Sequence, residues 1–223
     1  MDPSGLDPAT FSGKVPLFPL DNVVLFPHAF LPLHIFEPRY RAMTARALEG
    51  EGLIAMARFL PGWERDYDGN PPIRDVVGVG RILQHERRPD GRYDLMLFGV
   101  ARARVVDLVS SEPYRTARVE LLPDRPESGE RYGRLRRLLL EFYRELLRKA
   151  LGGAAPPPGD LSLGALCDHL AALLGFDPPV KQTLLEEVDV GARCDRLVTL
   201  LQASNAPGLP WGKPPWPPGS SLN

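Results

Sequence analysis

The stretch "LFPLDNVVLFPHAFLPLHIFEPRYRAM" (residues 17–43) is strongly apolar, yet Pro19, Pro27, Pro32 and Pro38 interrupt it. Proline lacks the amide donor that a central strand or an interior helical turn requires. The segment must therefore contribute to a core through short edge or crossing pieces, not through one continuous element. In "LPLHIF", Leu31, Leu33 and Ile35 share one face while Pro32, His34 and Phe36 share the other. That is the period of a half-buried strand, with Pro32 placing it at an edge or bulge. Pro38 stands where a first helical residue belongs, and Tyr40, Met43 and Ala47 follow on one face up to Gly50. "EPRYRAMTARALEG" is therefore predicted to be a short helix. Glu37 falls at its positive end, within reach of Arg41.

From Val15 to about Leu122 the pattern stays mostly strand-like. "RRPDGRYDLMLFGVARARVV" sets Asp90-Gly91 between two alternating runs, a strong hairpin signal. Tyr93, Leu95 and Leu97 are expected on the core face, and Arg102 and Arg104 on a solvated face. "DVVGVGRILQHE" and "YRTARVELL" extend the meander. Five or more short strands separated by turn residues predict a small antiparallel barrel or sandwich.

The period then changes. Tyr132, Leu135, Leu139, Phe142 and Leu146 recur at spacings of three and four, which predicts an amphipathic helix. "GGAAPPPG" must break it. Ser162 can cap a second helix carrying Leu163, Leu166, Leu170 and Leu174, Asp177-Pro178 begins a third, and "VGARCDRLVTLLQ" makes a fourth. Strands first and helices second argue for an α+β fold. The expected divisions are a flexible arm (1–13), a β-rich domain (14–122), a helical domain (123–203) and a Pro/Trp-rich tail (204–223).

Composition narrows the chemistry. With 27 basic and 28 acidic residues the formal net charge is -1, so no overall field draws the chain to nucleic acid or an anionic membrane. No uncharged run is long enough to span a bilayer. The N-terminus lacks a basic and apolar leader pattern, and the expected location is cytoplasmic. Cys167 and Cys194 are too few for a disulfide scaffold or a cysteine-only metal site and read as buried, reduced thiols. No phosphate-cradling loop, nucleophile elbow or paired-histidine helix motif occurs, and the four histidines have no ligand spacing. No cofactor, metal or catalytic residue is expected.

"VPLFPLDNVVLFPHAFLPLHIFEPRYRAM", "VGRILQHERRPDGRYDLMLFGVARARV" and "KQTLLEEVDVGARCDRLVTLL" together resemble the N-terminal substrate-binding domain of the Lon proteases, and most closely the stand-alone bacterial proteins built from it. The resemblance runs from about Val15 to Leu201. It implies a PUA-like antiparallel pseudo-barrel with one short helix, followed by a C-terminal four-helix region. It also implies a non-enzymatic module that engages unfolded or damaged polypeptide in protein quality control, since the ATPase and peptidase modules of Lon have no counterpart in this sequence. Phe26, Phe30, His34 and Phe36 are candidates for the open, substrate-binding face, with core packing the competing reading. Pro27, Pro32, Glu37, Pro38, Arg39 and Tyr40 form the structural motif. The expected partners are apolar segments of unfolded chains, in a groove between the β domain and the helices. The alternatives are an adaptor that docks onto a separate protease or chaperone, and an RNA-binding PUA-like protein; neutral charge and the lack of an aromatic stacking motif count against RNA.

Overall fold

The computed structural model describes residues 6, 10–67, 70–110, 113–126, 128–151 and 161–203. The tail at 204–223 and the "GGAAPPPG" joint lie outside the described residues. Of the arm, Leu6 and Phe11 rest against the barrel core.

The chain forms β1 (Lys14–Pro19), β2 (Phe30–Ile35), α1 (Pro38–Glu49), β3 (Leu53–Ala57), β4 (Val76–Arg87), β5 (Tyr93–Ser110) and β6 (Thr116–Leu121), then α2 (Gly129–Leu151), α3 (Leu163–Leu173), α4 (Pro178–Glu186) and α5 (Val190–Ala203). The sheet order is β2-β5-β4-β3-β1-β6, and β6 also pairs with β5. Five strands thus close a ring, with β2 laid along the N-terminal half of the long β5. The pairings are antiparallel except for β1 with β3. Register shifts in β4 and β5 let these strands bend around the barrel. The α+β class and the order of a barrel with one short helix before four helices agree with the expectation.

Local chemistry explains most elements. Pro38 occupies the first turn of α1, whose Tyr40, Met43, Thr44 and Ala47 are buried against one end of the barrel. Tyr93, Leu95 and Leu97 fill the same cluster. The β4–β5 hairpin turns through Pro89, Asp90 and Gly91: Gly91 donates to the Arg88 carbonyl, Arg88 donates to that of Arg92, and only Gly91 in this loop has a positive φ. Pro89 presets the first bend of this three-residue loop. β3 went unread in the sequence because all five of its residues, "LIAMA", are buried, and a strand covered on both faces shows no alternation.

Residues 20–29 connect β1 to β2 by crossing directly over β4 and β5. A Cβ on Gly78 would stand 1.9 Å from the Leu25 carbonyl oxygen, and one on Gly99 1.9 Å from that of Phe26. Glycine at both positions is what lets backbone lie on backbone. Two hydrogen bonds fix the crossing, His28 N to Gly99 O and Gly99 N to Ala29 O, each 2.8 Å. Pro27 leads a tight turn whose next residue, His28, has φ 64, the one positive φ outside glycine among the described residues. This turn sends Leu25 into the barrel core and Phe26 into the helical core. Phe26 is therefore fully buried and does not belong to an open face. The turn aims its ring inward, out of phase with Phe30.

The helical core gathers Leu135, Leu139 and Leu146 of α2, Leu163, Leu166 and Leu170 of α3, Leu184 of α4 and Leu197 of α5, together with Phe26, Ala29 and Val76 from the barrel. Ser162 caps α3 by accepting from the Ala165 amide at 3.2 Å. The expected apolar groove between barrel and helices is filled by this packing and by a buried ion network. Arg102 of β5 is only 3% exposed. It donates to Asp168 of α3, to Asp124 at 2.8 Å and to the Leu185 carbonyl at 3.0 Å. Arg193 of α5 donates to both Asp124 oxygens, at 3.0 and 2.6 Å, and to the Glu187 carbonyl at 2.6 Å. The alternation rule had put Arg102 on a wet face with Arg104. Arg104 is exposed, but the helices cover Arg102.

Two outcomes are expected from this packing. Gly99→Ala should lower the urea-denaturation free energy by at least about 2 kcal/mol, because the added methyl overlaps the Phe26 carbonyl of a segment that two hydrogen bonds through the next residues hold in place. Asp168→Ala should lower it by about 3–5 kcal/mol, since it removes the fully buried one of the two carboxylates that Arg102 and Arg193 share.

Candidate functional site

The outer face of β2 and the adjoining half of β5 present most of the residues expected at an open site. Register pairs Phe30 with Phe98, Pro32 with Met96 and His34 with Asp94, and directly opposed residues share a face. Phe30 is 60% exposed and Phe36 52%. Phe30 leans on Phe98 with ring centroids 5.0 Å apart, and Phe36 stacks on His34 at 6.3 Å. Phe98, itself buried, forms the floor.

This strip grades from apolar to charged along the strand. At the Phe36 end, His34 Nδ1 lies 2.6 Å from Asp94 Oδ1, and Arg88 Nε donates to Asp94 Oδ2 at 2.6 Å. Partial burial works against the Asp94 charge, but hydrogen bonds from His34 and Arg88 outweigh it and hold the carboxyl below its ordinary value. At the Phe30 end the turn residue His28 meets Phe98 edge-on at 6.5 Å. Met96 and Phe98 were not singled out in the sequence, although the alternation of "YDLMLF" places both on the Asp94 face.

The proline-flanked corner lies next to this strip. Glu37, Pro38, Arg39 and Tyr40 follow β2 directly. Glu37 does not pair with Arg41; it accepts from Arg39 Nε at 3.0 Å and from the Tyr67 hydroxyl at 2.8 Å. Arg39 lies over the Tyr40 and Tyr67 rings, at 4.7 and 4.9 Å, and Tyr40 packs on Phe18 at 4.4 Å. Burial pushes the Tyr40 phenol up to about 12. Tyr67 reaches this corner from the loop between β3 and β4, a contact that no local pattern announces.

A second exposed apolar group, Val106, Leu108 and Val109, lies at the far end of β5. There β4 has ended and β5 is paired only with β6. Among the described residues no set of three or more His, Cys, Asp or Glu could hold a metal ion, and no helix is long and apolar enough to cross a membrane.

Residues 14–203 match the family described as the ATP-dependent protease La (LON) substrate-binding domain. The chain belongs to this family. It is 30% identical over 197 residues to Lon protease 2 of Myxococcus xanthus and 27% identical over 194 residues to the Lon protease of Desulfosudis oleivorans; each alignment takes in 84% of this chain and 23% of the relative. The domain thus spans about a quarter of the length of these relatives. Its fold is that of the Lon N-terminal domain protein from Xanthomonas campestris (TM-score 0.61, 24% identity, 83% of this chain and 97% of that one). The N-terminal domain of the Mycobacterium avium complex Lon protease shares it as well (TM-score 0.64, 19% identity, 86% and 99%).

One titratable group of the helical region makes stability depend on pH. His169 of α3 packs against Tyr143 of α2, with ring centroids 5.7 Å apart. Burial lowers its pKa below the ordinary 6.5, against a smaller opposing effect of its hydrogen bond to the His28 backbone. The folded state therefore disfavours the imidazolium, so His169 leaves stability intact above pH 6.5 and reduces it as pH falls from 6.5 toward the folded pKa. Melting temperature should drop between about pH 7.5 and about pH 5.5, and His169→Gln should flatten that drop.

Proposed function

We propose that the domain holds apolar, extended segments of unfolded polypeptide on the outer face of β2 and β5 and performs no chemistry on them. The reading rests on one observation: Phe30 on the edge strand β2 and Phe36 just past its end stand mostly exposed, on either side of Pro32 and His34, beside a floor of Phe98 and Met96. Exposed apolar side chains clustered on a rigid sheet mark interaction surfaces, and each ring offers an unfolded chain a large contact at little entropic cost. The charged end, His34, Asp94 and Arg88, can accept the polar groups that accompany an apolar segment. The description of the family as a substrate-binding domain and the naming of its relatives as proteases support a polypeptide ligand.

The test is binding of fluorescently labelled unfolded casein, followed by anisotropy. Phe30→Ser and Phe36→Ser should each weaken binding about five- to tenfold, the equivalent of about 1–1.4 kcal/mol, with melting temperature nearly unchanged because both side chains are exposed. Unchanged affinity in the double variant would remove β2 from the site. In that case loss of binding in Leu108→Ser would transfer it to the far end of β5.

A further inference from the structure

The only two cysteines of the chain lie 27 positions apart in sequence, on different helices, and share one buried core cluster. Cys167 of α3 and Cys194 of α5 are both fully buried and unbridged, and both belong to the helical core cluster. The helices approach closely at this crossing. A Cβ on Gly164 would stand 3.0 Å from Arg193 Nη2 and 3.2 Å from Val190 Cγ2, and Arg193 Nε lies 3.2 Å from Asp168 Oδ1. Residues 164, 167 and 168 of α3 thus face 190, 193 and 194 of α5, which is the i, i+3, i+4 contact stripe of two packed helices. Each cysteine is the chain neighbour of one member of the buried ion network.

We propose that Cys167 and Cys194 are an oxidisable dithiol, and that small disulfides of the glutathione type convert it to an intramolecular disulfide joining α3 to α5. In the first step one cysteine thiolate attacks the small disulfide, forms a mixed disulfide and releases one small thiolate. The second cysteine thiolate then attacks the protein sulfur of that mixed disulfide and releases the second. The two cysteine protons end on the two released thiols, so the protein loses two hydrogens and the oxidant gains them. Contact with Cys194, then burial, pushes the Cys167 thiol well above its ordinary value, and an undissociated, covered thiol is inert. Oxidation therefore waits on local opening of the helical bundle. The cross-link, once made, fixes the Asp168–Arg193 contact beside it and holds the helices on the barrel. Both residues stand outside the exposed strip of β2, so the dithiol acts on the support of the domain and not on its binding face.

The full chain, incubated with excess oxidised glutathione a few degrees below its melting temperature, should remain monomeric on a non-reducing gel. Its intact mass should fall by two hydrogens, and peptide mapping should link Cys167 to Cys194. Melting temperature should rise by about 5–10 °C, as expected for closing a loop of this length, and dithiothreitol should reverse the shift. Cys194→Ala should show neither the linked peptide nor the rise. The proposal is overturned by glutathione adducts that persist on either cysteine, by intermolecular dimers, or by a linked form that melts lower than the reduced one. It is equally overturned if both thiols stay free after unfolding in mild urea and refolding in the same oxidising buffer.

Discussion

The Arg102–Asp168–Arg193–Asp124 network is the contact on which the arrangement of this molecule depends. Each group comes from a different stretch: β5, α3, α5 and the link after β6, with the α4 and post-α4 carbonyls of Leu185 and Glu187 closing the shell. Asp124 and Asp168 each contact both guanidinium groups, so the full set of contacts forms only when all these pieces are in place. Burial opposes the Arg193 charge, but Asp168 and Asp124 more than offset it and raise its pKa. Asp168 is also buried, and its carboxyl is pushed up in spite of Arg102 and Arg193. Such groups add little net stability compared with apolar residues of the same shape, but a partial set is strongly unfavourable. The network thus favours one docking geometry, and Phe26, Ala29 and Val76 add apolar contact with the helices.

The residues that sequence could read were those whose environment is set by near neighbours. The plug helix follows from Pro38 and a 3–4 spacing, the hairpin from Asp90-Gly91, and the cap of α3 from Ser162. The inward face of Tyr93, Leu95 and Leu97 follows from alternation alone. Features that depend on distant covering were not readable in this way. Arg102 alternates like a surface residue and becomes interior only because α3 and α5 lie over it. Phe26 belongs with Phe30 by composition, and the turn at Pro27 and His28 parts them. "LIAMA" carries no period because both of its faces are covered. For the exposed strip the pattern was half legible: Phe30, His34 and Phe36 could be phased from Leu31, Leu33 and Ile35, but the floor beneath them comes from a strand some sixty residues later.

The barrel and its crossing segment explain why β2 can be exposed without being loose. Residues 20–29 are held on the glycines of β4 and β5, and the Glu37–Arg39–Tyr67 corner anchors the other side. Between these two fixed points β2 has little freedom to shift register. The exposed rings of Phe30 and Phe36 are therefore presented on a stiff support, and little ordering entropy remains to be lost when something settles on them.

Pro32 at the middle of β2 gives this surface a further property. β2 is a terminal strand of the sheet order, and open edges with aromatic side chains tend to recruit further strands by main-chain pairing. A residue without an N–H interrupts the row of donors at the centre of the edge. Side chains can still be grasped from the face, but a guest chain finds no unbroken ladder along which to zip. On the proposed reading, such a surface would hold apolar chains by their side chains without becoming the seed on which they assemble into fibres.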